Sequence, residues 1–236
     1  MTRAPSTKPL FRAMSGRAAP AAAVTLPIEA PAAARPRDDA RRADDFYPTV
    51  QPCAIRSLLA YDGARIRDCG AVWEPCVGAG DLAREIEAFG LPVIGSDLRD
   101  RGWPGTIVQS YYDWDASPAR AIITNPPYDQ INARDGAGRW LRHTLDMPGW
   151  DYLALLLSWD WPAAVKNGLG ALLDERPFSR AWLIRWKIDF TGDGSPPQRN
   201  AWFVWDRLDR RGPGANTPHP DFCFMDRRDW RQDGLL

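Results

Sequence analysis

The sequence predicts an α/β fold built on a mostly parallel sheet, and two observations carry that prediction. Short apolar segments alternate along the chain with segments of helical periodicity, which is the pattern of a parallel sheet covered by helices on both faces. Near the C-terminal end, two apolar segments, 181–189 and 201–205, are separated only by a Gly/Pro-rich loop, which favours an antiparallel hairpin at one edge. We therefore expect a seven-stranded sheet with one antiparallel edge hairpin.

The individual elements follow from periodicity and from helix-start and helix-stop residues. Thr49 is expected to cap a helix over 49–61, with Ile55, Leu58 and Leu59 on one face. A second helix is expected to begin at Asp81 and to end at Phe89, before a glycine. A third is predicted over 163–173. The seven strands are expected at 70–74, 91–96, 106–109, 121–124, 152–157, 181–189 and 201–205.

The first 44 residues differ in kind from the rest of the chain. They are rich in Ala, Pro and Arg, have no periodic apolar face and contain no acidic residue before Glu29, so we expect residues 1–44 to be disordered. A transit peptide and a basic arm touching phosphates are the alternatives; four prolines disfavour an amphipathic transit helix. The folded domain is then expected at 45–236, with 206–236 as a C-terminal extension.

Bulk composition excludes some classes of function. The formal net charge of the 236 residues is zero, so no overall basic field indicates a sequence-blind nucleic-acid binder. No apolar run approaches the length of a membrane span. The four cysteines form no Cys-x-x-Cys pair and have no nearby histidine, so we expect reduced thiols and no metal site. His143 and His219 are interpreted as structural or loop residues.

The most informative stretch is Asn125–Tyr128, which reads Asn-Pro-Pro-Tyr and follows an apolar strand. Two consecutive prolines can neither donate to a β-ladder nor continue into a helix, so the backbone after the strand is held rigid and extended. That rigidity fixes an amide side chain and two carbonyls beside an aromatic ring. Such a group could grip a planar substrate that carries an exocyclic NH2. For the tetrapeptide alone, an ordinary Pro-Pro turn closed by an aromatic residue is the alternative.

A second motif lies at the turn between the first strand and the next helix. Gly78 and Gly80 allow a ligand to approach the backbone closely, and Glu74 and Asp97 stand at the tips of successive strands. The second-strand acid is at the spacing expected for a ribose ligand. The third glycine of a dinucleotide site is missing, and Asp81 at the helix start would repel a phosphate. A ligand with a ribose, no phosphates and a cationic amine fits better, and S-adenosylmethionine has these properties.

Together, residues 46–206 resemble the class I S-adenosylmethionine-dependent methyltransferases, and within them the N6-adenine DNA methyltransferases of the Asn-Pro-Pro-Tyr type, including small phage-like members. The resemblance implies a Rossmann-like fold and a catalytic motif formed by Asn125, Pro126, Pro127 and Tyr128. It implies cofactor contacts from two sets of residues. The first set, around the glycine turn and the second-strand acid, is Glu74, Pro75, Gly78, Gly80, Asp97 and Leu98. The second, from the upstream Phe-Tyr-Pro-Thr segment and the catalytic motif, is Phe46, Tyr47, Thr49 and Asn125.

One family position departs from the pattern. An acid before an aromatic residue normally follows the third strand and bonds the adenine amino group of the cofactor. The best alignment places Ser110 and Tyr111 there, and Asp113 is an alternative by a shift of register.

The resemblance also implies the reaction. Adenine is flipped out of double-stranded DNA and stacked on Tyr128, while the Asn125 side-chain oxygen and the Pro126 carbonyl accept hydrogen bonds from N6. The methyl group is transferred directly, without a covalent enzyme intermediate. Phe190 is the candidate second ring against the base, with Trp202 as the alternative, and Arg199 is the candidate phosphate contact. Few residues follow Trp205, so we expect relaxed or very short target recognition through loops 129–138 and 191–200.

Other acceptors and another class of protein remain open. The Asn-Pro-Pro-Tyr motif also occurs in enzymes that methylate exocyclic amines of RNA, at adenine N6 or guanine N2, or the amide of a protein glutamine. The glutamine-directed enzymes usually carry a helical domain where this chain has its tail. A non-catalytic binding module that has kept the fold is the rival from a different class. The expected location is the cytoplasm of a bacterial or phage-infected cell.

Overall fold

The computed structural model describes residue 49 and residues 51–131, 138–163, 169–190, 198–209 and 220–232. The chain divides into two units, Met1–Ala40 and Arg41–Leu236, and every described residue belongs to the second. The predicted tail 1–44 and the candidate cofactor residues Phe46 and Tyr47 lie outside the described residues. The boundary between tail and domain therefore stays a prediction.

The first helix is longer and begins later than its sequence pattern suggests. It begins after Pro52 and has no side-chain cap, so the predicted Thr49 cap is wrong. It continues through Gly63 to Arg67. A Cβ at Gly63 would lie only 2.5 Å from the ring of Phe89, so the glycine allows Phe89 to pack closely against this helix. In the described residues the helices are α1 Cys53–Arg67, α2 Asp81–Ala88, α3 Tyr128–Ile131, α4 Arg139–Asp146 and α5 Leu169–Glu175, with 3-10 turns at Tyr111–Asp113 and Trp161–Ala163.

The third predicted helix, 163–173, is confirmed only in its second half. Helix α5 begins at Leu169 and ends at Glu175, and residues 164–168 lie outside the described part of the chain. Its buried face consists of Leu169, Leu172 and Leu173, at the i, i+3, i+4 spacing of an amphipathic helix.

The described strands form one eight-stranded sheet in the order β3-β2-β1-β4-β5-β7-β6-β8. Seven of them match the predicted segments, and the pairing of β6 and β7 confirms the expected antiparallel hairpin toward one edge. Strand β7 also pairs antiparallel with β5, and the remaining pairs of the described sheet are parallel. The strands are β1 Val72–Glu74, β2 Val93–Asp97, β3 Ile107–Val108, β4 Ala121–Thr124, β5 Tyr152–Ser158, β6 Arg180–Ile184, β7 Asn200–Asp206 and β8 Asp221–Met225.

The predicted strand count of seven is therefore wrong by one, because the C-terminal segment contributes strand β8. This strand pairs in parallel with β6 and forms the outer edge of the sheet. The residues after it also pack on the core: Trp230 is buried and its ring lies edge-on against Phe89, at 5.0 Å between centroids. Residues 220–232 thus belong to the folded domain.

Two apolar layers cover the two faces of the sheet. Alternate residues of β5 divide between them, so Tyr152, Ala154 and Leu156 pack against α1 and α2, and the intervening leucines pack against α3, α4 and α5. Every residue of β5 except the last is buried, which explains why the strand is a continuous apolar run in the sequence.

The strand order reverses between β1 and β4, which are adjacent and parallel but lead away to opposite sides of the sheet. Ligands of open α/β sheets bind beyond the carboxyl ends of the strands at such a reversal. No helix in the described part of the chain is long and apolar enough to cross a membrane.

Candidate active site

A cavity of about 420 Å³ opens at the carboxyl ends of β1, β2 and β4, where the strand order reverses. It joins the two motifs singled out in the sequence, since the glycine turn after β1 and the tetrapeptide after β4 both contribute to its wall. The predicted site residues that line it are Thr49, Glu74, Pro75, Gly78, Asp97, Leu98, Ser110, Tyr111, Asn125 and Pro127.

The glycine turn is held in place by the acid at the end of β2. The backbone amide of Gly78 donates to Asp97 Oδ2 at 3.0 Å, and Gly78 adopts a positive φ of 54°. The other carboxylate oxygen of Asp97 accepts from the Arg99 amide at 3.2 Å. Asp97 therefore fixes the turn while its carboxylate remains at the cavity wall, where further lone pairs can accept hydroxyl hydrogens.

The second glycine of the turn is constrained by a packing contact, and its cofactor contact stays a prediction. Gly80 is not among the residues that line the cavity. It has a φ of 84°, and a Cβ at this position would lie 2.0 Å from the ring of Trp103. Close packing of Trp103 across the turn therefore explains why the position is a glycine.

Glu74 is the buried charge of the site. Its side chain stands at the end of β1, the residue is 2 % exposed, and Oε2 has no hydrogen-bond partner among the described residues. Burial, and secondarily the negative charge of Asp81, raise the pKa of Glu74 well above its ordinary value. An ionised Glu74 therefore needs a positive group in the cavity to compensate for its burial.

The amide of Asn125 is oriented by Thr49, a residue 76 positions away in the sequence. Its Nδ2 donates to Thr49 Oγ1 at 3.1 Å, which points the amide oxygen in the opposite direction. The carbonyl of Pro127 accepts from the amides of Gln130 and Ile131 and so is committed to helix α3. The assignment of Pro126 as the backbone acceptor for a substrate amine stays a prediction.

An aromatic stack forms one wall of the cavity. The ring of Tyr111 lies parallel to Trp140 at 4.4 Å between centroids and stacks on Trp73 at 5.4 Å. Its hydroxyl shares a 2.7 Å hydrogen bond with Thr144. Asp113, the alternative to Ser110 and Tyr111 at the departing family position, is exposed and does not line the cavity.

Four candidate substrate residues lie outside this cavity. Tyr128 is half-buried against the α3–α5 layer, and its hydroxyl donates to the Leu156 carbonyl at 3.3 Å. Phe190 packs against the other layer, and Arg199 lines a separate hollow. Trp202 is fully buried and donates to the Ala54 carbonyl, as a core residue does. Base contacts by Tyr128, Phe190 and Arg199 stay predictions.

The cavity also contains residues that the motifs did not indicate. Gln130 accepts a 3.0 Å hydrogen bond from the Tyr112 hydroxyl, and the guanidinium of Arg139 lies 3.9 Å from the Tyr112 ring centroid. Burial raises the pKa of the Cys76 thiol, so no thiolate is available at neutral pH. These side chains come together only through folding. The additional lining residues are Cys76, Val77, Ala79, Asp81, Leu82, Arg101, Tyr112, Asp129, Gln130 and Trp140.

The lining of the cavity is acidic, with four carboxyl residues against one arginine. Among the described residues, no group of three or more His, Cys, Asp or Glu side chains has the arrangement of a metal site. A cation held by electrostatics and hydrogen bonds is therefore the kind of ligand that this surface favours over an anion.

No family model matches the chain, and no curated protein matches it. Solved structures do. A protein from Listeria monocytogenes, provisionally described as a class I S-adenosylmethionine-dependent methyltransferase, matches with a TM-score of 0.50 at 12% identity, over 80% of this chain and 69% of its own. A protein from Pyrococcus horikoshii, provisionally described as an RNA methyltransferase, matches at 0.48 and 12%, over 65% and 82%. A modification subunit provisionally assigned to a type I restriction enzyme of Vibrio vulnificus matches at 0.44 and 14%, over 75% and 47%.

At these identities the comparison establishes the fold. The chain has the α/β fold of the Listeria class I methyltransferase structure, with a mostly parallel sheet, helices and antiparallel pairing toward one edge. The predicted fold class is therefore confirmed, apart from the number of strands. Function has to be argued from the side chains of the cavity.

Proposed function

We propose that this protein transfers the methyl group of S-adenosylmethionine to the exocyclic N6 amine of adenine in DNA. The observation that carries the proposal is a single cavity that holds Glu74, Asp97 and Asn125 at the carboxyl ends of three neighbouring strands. An acid for a cationic amine, an acid for a ribose and an amide for a substrate amine are thereby brought into one space.

The residues of the cavity fit this cofactor on chemical grounds. The buried carboxyl of Glu74, with an unpartnered oxygen, favours the positive charge of the methionine amino group. Asp97, anchored by the Gly78 amide, offers acceptors for the two ribose hydroxyls. A pyrophosphate would meet Asp81 at the start of α2, which disfavours dinucleotides.

The bound cofactor supplies an electrophilic methyl group on a positively charged sulfur. The chain has to position the acceptor amine in line with it and to hold the lone pair of that amine toward the methyl. Asn125 suits this task, because Thr49 holds its nitrogen and its oxygen can accept from an exocyclic amine. The rigid prolines restrict the motion of the amide, so positioning supplies most of the rate enhancement.

Direct transfer needs no nucleophile from the protein. Cys76 is the cysteine of the cavity wall, and its raised pKa keeps it a neutral thiol. The Tyr111 hydroxyl, whose pKa is also raised by burial, is occupied with Thr144. The side chains of the site thus favour attack by the substrate amine itself over a covalent enzyme intermediate.

The proposal is tested by incubating the purified protein with S-adenosylmethionine and unmethylated DNA, digesting the DNA to nucleosides and detecting N6-methyladenine by mass spectrometry. We expect product from the wild type and a loss of at least about 100-fold with Asn125→Ala, the range in which one positioned hydrogen-bonding group contributes. Calorimetric titration of S-adenosylmethionine into both proteins separates a lost reaction from a lost cofactor site.

Each negative outcome has a distinct meaning. Cofactor binding without N6-methyladenine in DNA would move the acceptor to RNA or a protein glutamine, which the same assay on RNA and on peptides would reveal. No binding of S-adenosylmethionine by the folded wild type would overturn the methyltransferase proposal and favour a binding module that shares only the fold.

A further inference from the structure

A second hollow, of about 290 Å³, opens at the same end of the parallel strands as the candidate active site. It lies at the carboxyl ends of β5, β6 and β8 and at the start of the antiparallel strand β7. The catalytic tetrapeptide follows the carboxyl end of β4, next to β5, so both sites face the same side of the molecule. The hollow is lined by Trp159, Leu183, Ile184, Arg185, Arg199, Asn200 and Phe224.

Two large aromatic residues are exposed in this hollow. Trp159 is 54 % exposed and Phe224 is 61 % exposed, whereas most tryptophans and phenylalanines of the described chain are buried. The backbone amide of Trp159 donates to the Arg199 carbonyl at 3.1 Å, and Phe224 is on the paired strand β8, so the backbone that carries each ring is fixed. Exposed, positioned rings provide the flat apolar surface on which unpaired bases stack.

Two guanidinium groups accompany the rings. Arg185 lies 4.4 Å from the Phe224 ring centroid, and Nη1 of Arg199 donates to the Arg185 carbonyl at 3.2 Å. The ion pair of Arg185 with Asp226 is exposed on both sides and therefore contributes little on its own. Exposed rings with adjacent guanidinium groups are complementary to a base and its phosphate, and they distinguish this hollow from the acidic cavity next to it.

A buried amide connects the hollow to the catalytic motif. Asn200 is fully buried, and its Nδ2 donates to the Tyr128 hydroxyl at 3.4 Å and to the Leu157 carbonyl at 3.3 Å. Its Oδ1 has no partner among the residues that the structure describes. Because Asn200 is wholly buried between the hollow and Tyr128, it fixes the wall of the hollow relative to the catalytic motif.

We propose that this hollow binds an unpaired nucleotide of the DNA substrate next to the target base. The base stacks on Trp159 and Phe224, and its phosphate contacts Arg185 and Arg199. This inference rests on the proposed function, because it takes the ligand to be the strand that carries the methylated adenine. It gives the protein a grip on distorted or single-stranded DNA that a neutral overall charge does not provide.

The experiment measures fluorescence anisotropy of a labelled single-stranded oligonucleotide of about 12 nucleotides, with wild type and variants. Trp159→Ala and Phe224→Ala are each expected to weaken binding by about 5- to 100-fold, the range for loss of one stacked base. Leu208→Ala is the matched control: it removes an equally exposed apolar side chain, 58 % exposed, after the opposite end of β7. Equal melting temperatures show that the variants are folded.

An abasic oligonucleotide separates stacking from charge. It keeps the phosphates and lacks the bases, so Trp159→Ala should bind it as wild type does, whereas Arg185→Gln should weaken both oligonucleotides. Arg120→Gln is the charge control, because the Arg120 side chain is as exposed as that of Arg185 and precedes β4, at the opposite end of the strands.

The inference is overturned if wild type does not bind single strands, or if Trp159→Ala and Phe224→Ala bind them with unchanged affinity. Failure of the proposed function alone has a different result. Single strands would then bind in a way that depends on their bases and on Trp159, but no methylated adenine would form, so the nucleotide site would stand and another methyl acceptor would have to be sought.

Discussion

At the scale of single residues, we expect the buried carboxyl of Glu74 to decide which ligand charge the main cavity favours. A carboxyl that is 2 % exposed is costly to ionise, and this burial raises the pKa of Glu74 well above its ordinary value. We therefore expect this position to reduce the stability of the ligand-free protein near neutral pH and to favour the binding of a cation. Binding sites commonly show this exchange of stability for function.

The pH dependence of stability should report this exchange. An acid whose pKa is raised on folding binds its proton more tightly in the folded state, so stability is lost as pH rises above its ordinary pKa of about 4.3. We expect Glu74→Gln, which cannot ionise, to lose less stability than wild type between about pH 5 and 8. Denaturant titrations of both ligand-free proteins across this range measure the difference.

The same substitution should weaken binding of S-adenosylmethionine by about 10- to 100-fold, since a hydrogen bond to a charged group contributes about 1.5–3 kcal/mol. Asp81→Asn is the comparison for the general charge of the cavity: it removes another carboxylate, whose side chain is 19 % exposed, and only a secondary contribution to the raised pKa of Glu74, so it should weaken binding less. Parallel stability curves for wild type and Glu74→Gln would contradict the assignment of Glu74 as the buried charge.

At the scale of elements, the contact between the glycine turn and Trp103 positions the cavity. Trp103 packs against Val77 and Ala83, and it approaches the backbone at Gly80 and Gly95 more closely than a Cβ would allow. The turn after β1 is therefore held by two contacts: Trp103 packs against it, and Asp97 accepts a hydrogen bond from its Gly78 amide. A loop held on both sides keeps its amides in place when no ligand is bound.

Gly80→Ala tests this arrangement. The new Cβ meets Trp103 at 2.0 Å and the residue keeps a φ of 84°, so we expect a loss of about 2–5 kcal/mol in the free energy of unfolding, from strain and overpacking together. Gly90→Ala isolates the strain, because Gly90 has a φ of 93° and a Cβ added there would have no neighbouring atom within 4 Å among the described residues.

Chemical denaturation of both variants gives the comparison. Gly90→Ala should cost about 1–2 kcal/mol, and the excess for Gly80→Ala should shrink in a Trp103→Ala background. Equal costs at the two glycines would show that Trp103 does not restrict the turn.

At the scale of the whole molecule, a buried polar network joins α1 to the antiparallel part of the sheet. Asp62 accepts hydrogen bonds from Tyr152, Arg180 and Trp182, at 2.8, 2.8 and 3.1 Å. Arg180 also approaches Asp206 and Asp209. The network lies at the start of β5 and β6, at the end of the strands opposite to the candidate active site.

Removing Asp62 should therefore affect stability and not function. Asp62→Ala leaves Arg180 buried with a depleted set of partners, and we expect a loss of about 3–5 kcal/mol in the free energy of unfolding. The exposed pair of Arg176 with Asp146 provides the control, since Asp146→Ala should cost less than about 1 kcal/mol. Urea titration measures both.

Cofactor affinity of the folded Asp62→Ala protein should match wild type, because no residue of the network lines the main cavity. A changed affinity with intact folding would show that the Asp62 network and the main cavity, at opposite ends of the strands, are coupled.

Much of the architecture was predictable from local pattern. The apolar run of β5 and the start and stop signals of the helix from Asp81 to Phe89 predicted these elements correctly, because burial on both faces leaves an unbroken apolar run and helix ends carry characteristic residues. Strand β8 was missed: Phe222 and Phe224 are exposed on an edge strand, so its pattern resembles an irregular extension.

The candidate site likewise contains residues that local sequence pattern predicted and contacts that it did not. Glu74, Asp97 and Asn125 were predicted as site residues because each stands at the end of a strand beside a turn, and all three line the cavity. Gly80 was assigned to the ligand, but its constraint comes from Trp103, 23 residues later, and no local pattern records that contact.

The sequence by itself determined the fold class and marked the two motifs that line the cavity, because both depend on short-range periodicity and on residues adjacent to turns. Tertiary structure alone decided that Thr49 orients Asn125, that Tyr111 is stacked between Trp140 and Trp73, and that Trp159 and Phe224 share one hollow. These contacts join residues far apart in the chain, and only the strand order of the sheet brings them together.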